Sequence, residues 1–121
     1  MSAIPEQQVA RRVIEADRVS QAVDALQAAP DVRTRAARFA ILGDPTRLSL
    51  LTCIEAAEPI SVSDLAAATG INDTTVSQTL RYLRAAQVVD SERDGRVVRY
   101  RLIDSAVSAL LARESRSPRA G

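Results

Sequence analysis

The chain has 121 residues, with 16 basic and 15 acidic side chains and a formal net charge of +1, which argues against a generally basic nucleic-acid coat, so any DNA contact must come from local clustering. Hydrophobic residues make up 46% and aromatics only 2%, so one core has to be built from Ala, Val, Leu and Ile, a composition that suits helices. With no histidine and a single cysteine, Cys53, an internal disulfide and any thiolate or imidazole metal cluster are excluded as well.

Residues 1–5 read as loose, and Pro5 can open a helix at its first position. From residue 6 to 28, apolar residues recur at Val9, Val13, Ala16, Val19, Val23 and Leu26, one stripe along a single helix. At 1.5 Å per residue such a helix is about 35 Å long, more than a small domain can bury against itself, so part of the stripe is expected to meet a partner chain. Glu6, Arg11 and Arg12 interrupt the first apolar residues, so neither a secretory leader nor a membrane span is expected, and a cytoplasmic protein is.

Pro30-Asp31 breaks this arm, and the helical pattern resumes over residues 32–42, with Ala36, Phe39, Ala40 and Leu42 as inward positions. Gly43 ends it. Asp44-Pro45 then starts a third helix, Asp44 as N-cap and Pro45 where a missing N–H costs nothing, with Leu48, Leu51, Cys53 and Ile54 running to about Ala57. Cys53 reads as a small buried thiol. Arg33, Arg35, Arg38 and Arg47 cluster around the second helix and its exit and read as a solvated face, phosphate contact by one or two of them being the sharper alternative.

Residues 61–84 carry two short helical patterns, 62–69 and 73–84, broken at Gly70-Ile71-Asn72, the spacing of a helix-turn-helix. Leu65, Ala66, Ile71, Val76, Leu80 and Leu83 fall inward; Gly70 supplies a positive φ and Asn72 caps the second helix. Thr74, Thr75, Ser77, Gln78, Arg81 and Arg84 are left outward. Short hydrogen-bonding side chains followed by arginines can enter a major groove and read base edges, although a solvated first turn is the plainer explanation of the threonines.

After Arg84 the period changes to alternation. Residues 88–93 and 96–102 read as strands joined by Asp94-Gly95 in a type I′ hairpin, which sets Arg93 opposite Arg96, Asp90 opposite Arg99 and Val89 opposite Tyr100. Two opposed tip arginines imply an anion between them, and a hairpin just after a recognition helix is a wing, so a phosphate or a minor groove is expected there. A last helix begins at Asp104 or Ser105 with Val107, Leu110 and Leu111 on its apolar face, and residues 115–121 read as a frayed tail.

Leu42-Gly43-Asp44-Pro45-Thr46-Arg47-Leu48, the run from Thr75 through Gln78 and Arg81 to Leu83, and Asp94-Gly95-Arg96-Val97-Val98-Arg99-Tyr100 together resemble the ArsR/SmtB family of bacterial winged helix-turn-helix repressors. The resemblance covers about residues 38–111. It implies a homodimer joined through the first and last helices, an imperfect inverted-repeat operator of double-stranded DNA, and an effector that alters the placement of the two recognition helices. Where metal-sensing members have a Cys-x-Cys pair this chain has Ser61-Val62-Ser63, and where others have Asp-x-His it has Asp104-Ser105-Ala106. What remains for a metal is a weak carboxylate site, for instance Asp104 of one chain with acidic residues of the partner's first helix, holding a divalent ion loosely.

The expected architecture is therefore mainly α with a small β-hairpin, five or six helices plus a two-stranded wing, dimeric. It divides into a dimerisation helix (1–31), a DNA-binding core (32–103) and a dimerisation helix with tail (104–121). Catalysis is not expected, for want of a general base, a nucleophile pair or a phosphate loop. The alternative is a winged-helix module that binds protein, which would show apolar residues on the outer face of the second motif helix, where this chain has polar ones. The effector remains open between an oxygen-bound metal, a small molecule or redox cue, and a separate sensor protein.

Overall fold

The computed structural model describes residues 13–29 and 31–116, with side chains described as far as residue 112. The chain divides into two compact units, residues 1–37 and 38–121. In the first, α1 (Ala16–Ala28) is followed by the start of α2 (Val32–Leu42), with Val23 the buried residue of α1. Asp31 caps α2, its carboxylate accepting from the Arg33 N–H at 3.2 Å and the Thr34 hydroxyl at 2.9 Å. The single helix expected over residues 6–28 is not what forms: residues 13–15 are non-helical, and α1 starts only after Glu15, which is extended at φ −131. Adjacent β-branched Val13 and Ile14 lower helix propensity there, and Ile14 is fully exposed. Residues 6–12 and the tail from residue 117 lie outside the described residues.

The second unit takes the end of α2, then α3 (Pro45–Ala57), β1 (Ile60–Ser61), α4 (Val62–Thr69), α5 (Asp73–Ala85), β2 (Val89–Asp94), β3 (Val97–Leu102) and α6 (Ser105–Arg116). Its core is aliphatic: Leu50, Leu51 and Ile54 of α3, Leu65 of α4, Val76, Leu80 and Leu83 of α5, Val88 and Val89 entering the hairpin, and Val107 of α6 are all about 1% exposed or less. Each such side chain contributes on the order of 1.5–3 kcal/mol by leaving water. Among the described residues no polar or charged side chain is buried, so nothing in this core has to be offset by an internal polar network. Cys53 is half-buried against the same cluster.

Three sequence expectations are corrected here. On α2 the buried residue is Ile41, while Ala36, Phe39 and Ala40 are exposed and Leu42 is half-buried; the helix meets the core only at its last turn, so the pattern along its whole length was misleading. The two-stranded wing is a three-stranded antiparallel sheet in the order β1-β3-β2, because Ile60 and Ser61 pair with Tyr100 and Arg99. Two residues between helices have no period to detect. The hairpin register also differs by two residues: Val89 faces Leu102, Asp90 faces Arg101, Glu92 faces Arg99, Arg93 faces Val98 and Asp94 faces Val97. A shift of two keeps every side chain on its face, so Val89 still points inward.

Candidate nucleic-acid interface

The helix-turn-helix is fixed by short-range chemistry. Ser61 opens α4, its hydroxyl accepting from the Asp64 N–H at 3.2 Å, and Gly70 closes it at φ 75, donating to the Ala66 carbonyl. That φ is where a side chain would be strained. Thr69 pins the turn, its hydroxyl donating to the Leu65 carbonyl at 2.7 Å and accepting from the Ile71 N–H at 3.2 Å. Asn72 then caps α5, its side-chain oxygen accepting from the Thr75 N–H at 2.8 Å. With Val76, Leu80 and Leu83 buried, the rotation of α5 about its axis is set.

The opposite side of α5 presents Thr74, Gln78 and Arg81, all exposed, at the i, i+4, i+7 spacing that shares one helix face. Thr75 and Ser77 are half-buried on its two flanks; the Thr75 carbonyl accepts from the Thr79 hydroxyl at 2.8 Å. Arg84 is exposed but lies on the side of β2, its Nε 3.6 Å from a carboxylate oxygen of Asp90. So the six outward residues do not form one surface. Three point straight out, two stand at the edges, and Arg84 is drawn toward the sheet.

One residue of this helix escaped the sequence reading. Tyr82 is 48% exposed, on the flank away from Arg84, and the guanidinium carbon of Arg47 sits 4.9 Å from its ring centroid. No periodicity links two positions so far apart in the chain. Arg47 is thus not simply solvated: its Nε is 3.6 Å from Asp44, the acid whose other role is to cap α3 by accepting the Arg47 N–H at 3.0 Å.

The wing turns on Gly95-Arg96 rather than Asp94-Gly95. Gly95 takes φ 64 while Arg96 keeps a negative φ, the sign pattern of a type II′ turn with glycine first. Arg93 and Arg96 are both exposed near the tip but are not cross-strand partners, Arg93 facing Val98 and Arg96 lying in the turn. Arg99 was expected to pair with Asp90. It pairs instead with Asp94, at 3.2 Å, which leaves Asp90 to Arg84. Asp94 is 84% exposed in its side chain, and such a pair is worth little.

The positions considered for a metal are otherwise engaged. Ser61 spends its hydroxyl on the α4 cap, and Asp104 accepts from the Ala106 and Val107 N–H groups at 3.0 and 3.1 Å and from Arg38 Nε at 3.1 Å. Partial burial pushes the Asp104 carboxyl up, but the Val107 N–H, the Arg38 guanidinium and the Ala106 N–H together outweigh it and hold the group below its ordinary 3.8. Among the described residues no three of His, Cys, Asp and Glu come together as a metal would require.

This geometry has counterparts in known proteins. A helix-turn-helix domain family matches residues 42–92. The chain is similar to a transcriptional repressor SmtB homolog of Synechocystis, 34% identical over 98 residues that span 81% of this chain and 74% of that protein. It is also similar to the biofilm growth-associated repressor of Agrobacterium fabrum, 36% identical over 86 residues, 68% of this chain and 73% of that one. Among solved structures, a predicted DNA-binding transcriptional regulator from E. coli superposes with a TM-score of 0.69 at 28% identity, covering 77% of this chain and 96% of that one. With α4 and α5 joined by a capped turn, a hairpin packed beside α5, and relatives of this similarity, the chain belongs to the ArsR/SmtB family of winged helix-turn-helix transcriptional repressors.

Proposed function

We propose that this chain is a dimeric repressor that reads an inverted-repeat operator, inserting the Thr74, Gln78 and Arg81 face of α5 into the major groove of each half-site. The observation that carries the reading is the division of α5: one side is wholly aliphatic and buried, and the other is polar and exposed, with no large apolar residue on its outermost line. A protein-docking helix needs the reverse. Gln78 suits the adenine N6/N7 edge, Arg81 suits guanine or a phosphate, and Arg93 and Arg96 supply sequence-independent charge from the wing. Repression follows from occlusion of polymerase by a compact dimer, joined through its first and last helices.

An effector is proposed with this reading, and a separate sensor protein is favoured as its source. Cys53 is the one cysteine of the chain and histidine is absent, so the donors that hold soft or borderline metals are missing from the sequence itself. An ion taken by Asp104 and acids of a partner chain would have to share a carboxylate that Arg38 already holds at 3.1 Å. The protein acts as a binding module rather than an enzyme, and no described helix is long and apolar enough to cross a membrane.

The test is selection of duplexes from a randomised pool, followed by affinity measurements across salt. A DNA reader returns an inverted repeat with half-sites about one helical turn apart, bound with a steep salt slope. Gln78→Ala is expected to lose about 1–3 kcal/mol of discrimination at one base position of each half-site. An even loss at every position would remove Gln78 from base reading, and failure to enrich any duplex would overturn the operator reading as a whole.

A further inference from the structure

We infer that Arg47 and Tyr82 form a phosphate clamp on the flank of α5 away from the wing, gripping the DNA strand that the wing does not reach. The inference rests on the operator reading above and adds to it a second, sequence-independent anchor.

Four observations converge. The guanidinium of Arg47 lies over the Tyr82 ring at 4.9 Å, which fixes the plane of a long side chain that would otherwise sample many rotamers. The Asp44 carboxylate stands 3.6 Å from Nε, so it holds that side of the guanidinium by charge at a distance too long for a hydrogen bond. Among the described residues that guanidinium donates no hydrogen bond, although it carries five N–H donors in a fork that matches phosphate. The Tyr82 ring is half exposed, and with Asp44, Arg47, Gln78 and Thr79 it lines an open notch that runs from the start of α3 to the middle of α5.

The position matters as much as the chemistry. A recognition helix in the major groove lies between two sugar-phosphate strands, and this molecule has arginines on both flanks of α5. Arg84 and the wing arginines serve one side, and Arg47 on its tyrosine platform serves the other. Gln78 lies one helical turn before Tyr82 on the rim of the same notch. A phosphate held at Arg47 would therefore set how far Gln78 enters the groove. Without this grip the docked subunit would hold the DNA backbone from the wing side alone.

The experiment uses the full-length protein and a duplex that the wild type has selected from a randomised pool, with a scrambled duplex beside it. Arg47→Gln is expected to weaken binding about tenfold on both duplexes and to lower the slope of log affinity against log salt by about one, while Tyr82→Ala, which leaves the charge in place but frees the side chain, is expected to weaken binding on both duplexes with the slope kept. Arg47→Lys keeps the charge and is expected to keep the slope. Replacing phosphates one at a time by neutral methylphosphonates locates the contact: neutralising one phosphate per half-site should cost the wild type affinity and cost Arg47→Gln nothing. A loss of folding alone would move the urea midpoint and leave the methylphosphonate pattern intact, which overturns the clamp. So does an unchanged slope in Arg47→Gln. If the wild type selects no duplex, it is the operator reading that has failed; if it selects one and Arg47→Gln binds it as the wild type does, only the clamp has.

Discussion

The helix-turn-helix and the wing lie side by side in the same unit, yet they are held by different kinds of information. In the first, each turn of chain is fixed by a neighbour within four residues: Ser61 to Asp64, Thr69 to Leu65, Asn72 to Thr75, with Gly70 at φ 75 between them. In the second, the strands could pair in more than one register on the same faces, and what is chosen depends on partners far along the chain. Val89 settles opposite Leu102, and β3 is held from its other side by Ile60 and Ser61. Local chemistry specifies a motif; packing specifies a register. That difference makes the outer face of α5 the more sharply placed of the two surfaces, because its side chains follow from caps and core contacts within the motif itself.

The sharpest break of this contrast is at the core both regions share. Leu80 is fully buried between them, and Leu80→Ala is expected to cost about 2–5 kcal/mol in urea unfolding. A loss under about 1 kcal/mol would mean that α5 is not anchored through this face. Next comes the cap. Asn72→Ala should cost about 1 kcal/mol and show up as faster amide exchange in the first turn of α5, with the wing untouched; equal loosening of both would erase the distinction between local and long-range control. On the wing, Gly95→Ala forces a side chain into φ 64 and should cost about 1 kcal/mol, read as exchange confined to β2 and β3. A larger cost from Asp94→Val than from Gly95→Ala would restore the Asp94-Gly95 turn, in which residue 94 also takes a positive φ.

The smallest effect separates the two kinds of control on a single carboxylate. Asp104 caps α6 locally through Ala106 and Val107 and reaches Arg38 over a long sequence distance. Its folded-state pKa is depressed below 3.8, so the stability it adds is present above that value and is lost as pH falls through the lower, folded one. Asp104→Asn retains a capping side chain but cannot titrate, and its unfolding should lose this acid-range dependence. Arg38→Gln should weaken the dependence without removing it, because the backbone N–H groups remain. Identical acid profiles for the wild type and Asp104→Asn would show that the group does not contribute.

How much could be read in advance follows the same division. Asp44 and Pro45, Gly70 and Asn72 announced the starts and stops of α3, α4 and α5, because each acts on backbone within one turn of itself. The apolar period gave Leu65, Val76, Leu80 and Leu83 correctly. It failed on α2, where Phe39 looked inward and Ile41 is, since a helix that touches the core with one turn needs no stripe. Thr74, Gln78 and Arg81 were legible as an outer face. Arg84 was legible only as outward, its approach to Asp90 depending on where the sheet lies.

The sequence by itself determined the order of the elements, the capped turn between α4 and α5, and which side of α5 is polar, because all of these depend on residues a few positions apart. Only the tertiary structure decided the third strand, the hairpin register, the exchange of partners among Arg84, Asp90, Arg99 and Asp94, and the stacking of Arg47 on Tyr82. These join segments from 5 to more than 30 residues apart through contacts that carry no periodicity, and they form where the shared aliphatic core brings the segments together.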